Sequence, residues 1–235
     1  MIGFDPLSLS TAYILASLSA AQCPAQGPVA VDVQFVRKDT PAVTNVTSAE
    51  LTKHMNDPNS TMATDGKWMV GGVTVIAPGV NLKDNLNAGF QATVEVRTGA
   101  ACFTVAKVTY TIEYDPAVFI ASDFLNLGCR YSATLMHEKR HVDTDVKLLT
   151  DYIPEFRKAL ENIAPTIGPQ GPYAVGDVDN QKRRVIQQIG AATGPVWTQF
   201  WATRRVKQAE IDTIQNYMRD TALCPGQFPK FDGSK

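Results

Sequence analysis

Histidine is scarce in this chain, with three residues in 235. No stretch reaches the roughly 18 to 20 apolar residues that a membrane-spanning helix requires, and no long run of Lys or Arg appears. The formal net charge is −1. Neither a nucleic-acid partner nor an electrostatic membrane-surface partner is therefore predicted, because both need a concentrated basic face. The short clusters Lys182-Arg183-Arg184 and Arg204-Arg205 read as solvated helix faces. The four cysteines include no C-x-x-C pair, which argues against a thiolate zinc knuckle or a thioredoxin-type motif. No internal repeat is visible.

Apolar content is ample: 44% of residues are hydrophobic and 19% charged, enough for one globular domain with a real core. The expected organisation is an apolar leader or docking segment (1–26), a single domain (27–224) and a tail (225–235). The domain divides into a strand-rich half (27–125) and a helical half (126–224). Residues 7–21 are mostly apolar and small, and Ala21-Gln22-Cys23 follows them like the tail of an export signal. A positively charged opening, which such signals carry, is missing, since only Asp5 precedes the apolar run. Two readings stay open: an atypical export signal, or a retained apolar helix that makes residues 1–22 a docking segment for a protein partner. The opening Gly3-Phe4-Asp5-Pro6-Leu7 resembles the starts of some tailed-phage virion proteins.

Hydrophobic alternation predicts half-buried strands over 29–37, 69–77, 90–97 and 106–114, the second with a bulge at Gly71-Gly72. Thr47-x-x-Glu50 is a capping box that opens a short helix through Met55. Residues 57–67 are rich in Asp, Asn, Ser and Thr and read as loop. From about residue 125 the period changes. Val142, Val146, Leu149, Ile153, Phe156, Leu160 and Ile163 form a 4-3-4-3-4-3 stripe, with Pro154 expected to kink or interrupt the helix. Residues 164–178 read as a loop. Helix resumes from about 179, breaks near 190–195, and runs on through Val206, Ile211, Ile214 and Met218. Strands come first and helices second, so the predicted fold class is α+β.

Two of the three histidines fall in His137-Glu138-x-x-His141, at the front of the long helix. With three His and seven Glu in the chain, chance produces such a match in roughly one sequence in a thousand. Positions i and i+4 stack on one helix face, so both imidazoles can converge on one Zn2+. Glu138 can then act as general base toward a zinc-activated water. Asp145 is a poor third ligand, because each four-residue step rises about 6 Å along the axis. Asp143 points about 160° away from His141 around the helix. The third ligand should therefore come from elsewhere and be acidic. Glu210 is the leading candidate with Asp212 beside it, and Glu155, Glu161 and Asp177 stand in reserve. An oxyanion needs a donor; Tyr217, Tyr173 and Tyr131 are candidates, with Tyr217 put forward as catalytic.

The four cysteines, Cys23, Cys102, Cys129 and Cys224, fit two disulfides and an oxidising compartment. Cys102 opens a strand and Cys129 opens the motif helix, so the expected pairs are Cys102–Cys129 and Cys23–Cys224. Four buried free thiols are the alternative.

The His137-Glu138-x-x-His141 motif resembles the signature of the zincin metallopeptidases. Thr134 fits the Val or Thr that its strict form asks for three residues before the first His. Lys139, Arg140 and Asp143 depart from its uncharged pattern, which implies a helix half open to solvent. Over residues 29–224 the chain is similar to the predicted secreted zinc-dependent bacterial proteases of the domain-of-unknown-function 922 type. The likeness rests on Cys102, the run from Val108 to Pro116, Cys129, the motif followed by Val142-Asp143, Ile211-Asp212-Thr213, Tyr217 and Cys224. It implies zinc, hydrolysis of a peptide or protein substrate, and an extracytoplasmic setting. The resulting expectation is a gluzincin-like peptidase, with the strand near 108–113 as an edge that pairs with an extended peptide. The alternative is a non-catalytic virion or secretion component that keeps the fold. Hydrolysis of a non-peptide amide, such as a cell-wall crosslink, would use the same machinery.

Overall fold

The computed structural model describes residues 23–39, 41–55, 70–96 and 98–228. The leader through residue 22, the 57–67 loop and the last seven residues of the tail lie outside the described residues. Six strands and five α-helices are present among those described: β1 (Ala30–Arg37), α1 (Ser48–Met55), β2 (Gly72–Val75), β3 (Leu82–Glu95), β4 (Ala100–Tyr114), β5 (Ala117–Ile120), α2 (Gly128–Ile163), β6 (Gln170–Ala174), α3 (Val178–Ala191), α4 (Gly194–Ala209) and α5 (Ile214–Ala222). The architecture is α+β: a four-stranded mixed sheet, a two-stranded sheet of β2 and β5, and long helices.

β4 is the centre of the large sheet. β3 pairs antiparallel along its whole length, from Leu82 opposite Tyr114 to Glu95 opposite Ala100. The other edge is shared, with β1 parallel to residues 107–114 and β6 antiparallel to residues 100–103. Between them, Gln26 closes the gap with its side chain. Its Nε2 donates to the Val105 carbonyl at 2.6 Å and its Oε1 accepts from the Val105 N–H at 3.2 Å. The expected peptide-pairing edge at 108–113 is therefore internal, because both of its ladders are already taken. β2 is one of the edge strands among the described residues, pairing with β5 alone among the named strands, as β1, β3 and β6 each pair with β4 alone, and it is the edge that runs past Glu138.

The ladder skips Ala106, with Gly89 facing Lys107 and Phe90 facing Val105. One extra residue reverses which side chains point inward. Phe103 and Val105 are buried before it, and Val108, Tyr110, Ile112 and Tyr114 after it. At Gly71-Gly72 the expected bulge is absent: β2 pairs regularly from Gly72 onward. These glycines answer a close approach instead. A Cβ on Gly71 would lie 2.3 Å from the Phe124 ring, and one on Gly72 would lie 2.8 Å from Thr134 and 2.9 Å from Glu138.

α2 crosses the sheet antiparallel to β4, with Asp145 meeting Tyr114 and Phe156 meeting Tyr110. Its stripe packs as the periodicity requires. Val142, Leu149, Phe156 and Leu160 are buried, and Val146, Ile153 and Ile163 pack against them. Each fully buried residue such as Leu149 or Phe156 contributes about 1.5–3 kcal/mol. Pro154 does not interrupt the helix. It sits on the exposed face, as does Thr150, whose carbonyl loses its helical partner and remains accessible to water. The capping box of α1 forms in full: Thr47 N–H donates to Glu50 Oε2 at 2.8 Å and Glu50 N–H donates to Thr47 Oγ1 at 3.2 Å.

Two disulfides are present, but with the other pairing: Cys23–Cys102 and Cys129–Cys224. The antiparallel crossing of α2 and β4 explains the correction. Cys129 lies beyond the Tyr114 end of β4, and Cys102 lies at the opposite end beside β6. Among the described residues no helix is long and apolar enough to cross a membrane.

Candidate metal centre

His137 and His141 lie one turn apart on the buried face of α2, with Nε2 atoms 3.2 Å from each other. Asp212 Oδ1 is 3.1 Å from each. These three residues are the one group of His, Cys, Asp or Glu among the described residues whose ligand atoms converge in this way. Ligands of a tetrahedral zinc, bonded at about 2.0–2.2 Å, stand roughly 3.3–3.6 Å apart. The triangle therefore has the right donors and nearly the right edges. Three lone-pair-bearing atoms this close need positive charge among them, either shared protons or a cation.

Asp212 reaches the histidines because the last helix is two helices. α4 ends at Ala209, and Thr213 takes extended dihedrals and caps α5 by accepting from Asn216 N–H at 3.3 Å. Asn216 Nδ2 then donates to the carbonyls of Glu210 and Ile211, each at 3.0 Å, which closes the turn. Thr is a favoured N-cap, and Asp212-Thr213-x-x-Asn216 was the signal for this break. Glu210, the leading candidate for third ligand, falls on the other side of the turn. It is exposed and held by Lys207 Nζ at 3.1 Å. None of Glu155, Glu161 and Asp177 joins the cluster. Asp145 stays off it too, being four residues beyond His141 and engaged with Arg204.

The far nitrogens of both rings are engaged. His137 Nδ1 is 3.1 Å from Asp220 Oδ2 and 2.9 Å from Arg140 Nη2, which itself donates to that carboxylate. His141 Nδ1 meets Gln208 Oε1. Donation of Nδ1–H to Asp220 and to Gln208 leaves each Nε2 its lone pair for a metal, whereas an Arg140 N–H donated to His137 Nδ1 would put that ring's proton on Nε2. Burial opposes ionisation of Asp212, yet hydrogen bonds from the two histidines and Tyr217 outweigh it and hold the carboxyl below its ordinary range. Burial likewise opposes the charged form of His141, and the partnership with Asp212 overrides it and raises the imidazole's pKa. The site opens to solvent at Asp212, whose side chain is 44% exposed.

Glu138 is buried and points toward β2, where Thr74 Oγ1 donates to its Oε2 at 2.8 Å. Burial pushes its carboxyl upward, against the pull of both histidines and Thr74. Tyr217 stacks on the His137 ring with centroids 4.8 Å apart, and its hydroxyl donates to Asp212 Oδ1 at 2.9 Å. Burial and the Asp212 charge raise its pKa and keep the phenol protonated. Tyr173 lies on β6 at the far end of the sheet, and Tyr131 packs on the core near Phe124. Of the three tyrosines, Tyr217 is the one at the site. Lys139 is exposed and Arg140 half-buried, so the motif helix is open to water on its charged side.

Asp220, Gln208 and Thr74 escaped the sequence reading. Asp220 alone carried a signal, sitting three residues after Tyr217 on one helix face. No family model, curated protein or solved structure matches the chain.

Proposed function

We propose that this chain is a zinc-dependent hydrolase of peptide bonds, zincin-like in its chemistry, with His137, His141 and Asp212 as metal ligands. The observation that carries the reading is the triangle of two Nε2 atoms and Asp212 Oδ1, with edges of 3.1, 3.1 and 3.2 Å, next to a buried Glu138. When bound there, zinc supplies Lewis acidity that acidifies water and polarises a carbonyl. Glu138 takes the proton from the attacking water as the C–O bond forms, and passes it to the amine nitrogen as the C–N bond breaks. Tyr217, protonated beside Asp212, turns its O–H to the developing oxyanion. Thr74 holds Glu138 in register. An extended peptide pairs with the free edge of β2, which runs past Glu138 because Gly72 has no side chain. The two disulfides suit an oxidising compartment, so an extracytoplasmic setting belongs to the proposal.

The test is metal removal. The zinc-loaded chain is incubated with a reduced, alkylated protein, with and without a zinc chelator. Cleavage that stops with the chelator and returns with one equivalent of zinc is the expected outcome. A chain that holds zinc and cuts no unfolded protein would instead make this a non-catalytic interaction protein.

A further inference from the structure

Behind His141 lies a buried polar chain that catalysis does not use. Asp145 is 0% exposed and sits one turn beyond His141, on the same face of α2. Arg204 grips its carboxylate with two bonds, Nε to Oδ1 at 2.8 Å and Nη2 to Oδ2 at 3.0 Å, and Tyr114 donates to Oδ2 at 3.3 Å. Gln208, one turn beyond Arg204 on α4, inserts its amide between Asp145 and His141. The two helices thus interlock through matched pairs four residues apart: His141 and Asp145 on one, Arg204 and Gln208 on the other.

The direction of the Gln208 amide follows from what faces it. Its Nε2 donates to Asp145 Oδ1 at 2.6 Å and to the His141 carbonyl at 3.2 Å. Both partners are pure acceptors, so the NH2 end has to face them, and the opposite end turns Oε1 to His141 Nδ1. An acceptor at Nδ1 requires the Nδ1–H form of the ring. We infer that Gln208, oriented by Asp145, is a positioning residue that sets the tautomer of His141 so that Nε2 presents its lone pair beside His137 and Asp212. A flipped amide would offer N–H to Nδ1 and place the ring proton on Nε2, where it blocks coordination.

This rests on the metal-site reading for its consequence, but the tautomer itself is read without metal. The test uses the full chain and two variants. Gln208→Leu removes the acceptor at a half-buried position, with folding checked by circular dichroism. Gln208→Glu keeps an acceptor for the Nδ1–H of His141 and leaves Asp145 on Arg204. Long-range 15N–1H NMR of the metal-free proteins, at a pH where imidazole is neutral, reads the tautomer. Competition with a chromophoric chelator reads zinc affinity. Gln208→Leu is expected to move neutral His141 toward the Nε2–H form and weaken zinc about 10- to 100-fold, the range for lost outer partners of metal-bound His. Gln208→Glu should keep the Nδ1–H form and a zinc affinity near wild type. Unchanged tautomer and affinity in Gln208→Leu overturn the inference. So does weakened affinity with an unchanged tautomer, which would make Gln208 merely structural. If wild type shows the Nδ1–H form but takes up no zinc, the tautomer assignment stands and the metal reading falls.

Discussion

Glu138→Gln is expected to lower kcat/KM on an unfolded protein substrate about a thousandfold, while the variant still binds one zinc per chain. The magnitude is that of a lost general base, roughly 4 kcal/mol of transition-state stabilisation. Gln keeps the shape of Glu and can still accept from Thr74 Oγ1, so the fit against Gly72 and Thr134 survives. What disappears is the basic oxygen. Glu138 is not in the ligand triangle, so zinc content, measured by atomic emission after gel filtration, should match wild type. Equal cleavage by the variant would remove Glu138 from the reaction. Loss of zinc along with activity would mean that it is a ligand or a structural support rather than a base.

The second large effect separates two acidic residues only two positions apart. Asp212→Ala should weaken zinc binding by more than a hundredfold, beyond the loss typical of an outer-shell partner, whereas Glu210→Ala should leave it within about twofold. Asp212 contributes one of the three converging atoms and is half exposed, so its truncation opens no core cavity. Glu210 has its carboxylate on Lys207 at the surface, an ion pair worth about 0–1 kcal/mol at most. Chelator competition on both variants reads the difference directly. Equal loss in the two, or loss in Glu210→Ala alone, would contradict the assignment.

Much of this was legible from residue order. The stripe from Val142 to Ile163 placed a core-packed helix, and His137 and His141 share its buried face as their spacing demands. Thr47-x-x-Glu50 gave its capping box. Alternation over 106–114 marked β4, but the strand begins at Ala100. The bulge at Ala106 reverses the inward parity, and a period-2 pattern cannot be followed through that reversal. Residues 82–89 of β3 are Lys, Asp, two Asn, Ala and Gly around Leu82 and Leu86, and those six have weak strand preference. Pairing along β4 holds them extended. β6 was hidden in a proline- and glycine-rich stretch for the same reason, its strand character coming from the ladder to residues 100–103.

At the site, the error at Glu210 came from running one helix through a turn. Apolar residues at 206, 211, 214 and 218 fit a continuous period, while the break is made by Thr213 and Asn216 bonding to backbone. Such capping competes with helix locally and leaves the apolar pattern intact. The disulfide pairs depended on the relative direction of α2 and β4. That is a tertiary fact, and cysteine spacing does not encode it.

The most direct measurement is X-ray absorption at the zinc edge on the metal-stripped chain given one equivalent of zinc. Expected are two imidazole nitrogens and oxygen donors at about 2.0–2.2 Å, with one imidazole lost in His137→Ala and a carboxylate oxygen lost in Asp212→Ala. A shell of water alone, a sulfur ligand, or failure to retain the metal through gel filtration would contradict a zinc centre built on His137, His141 and Asp212.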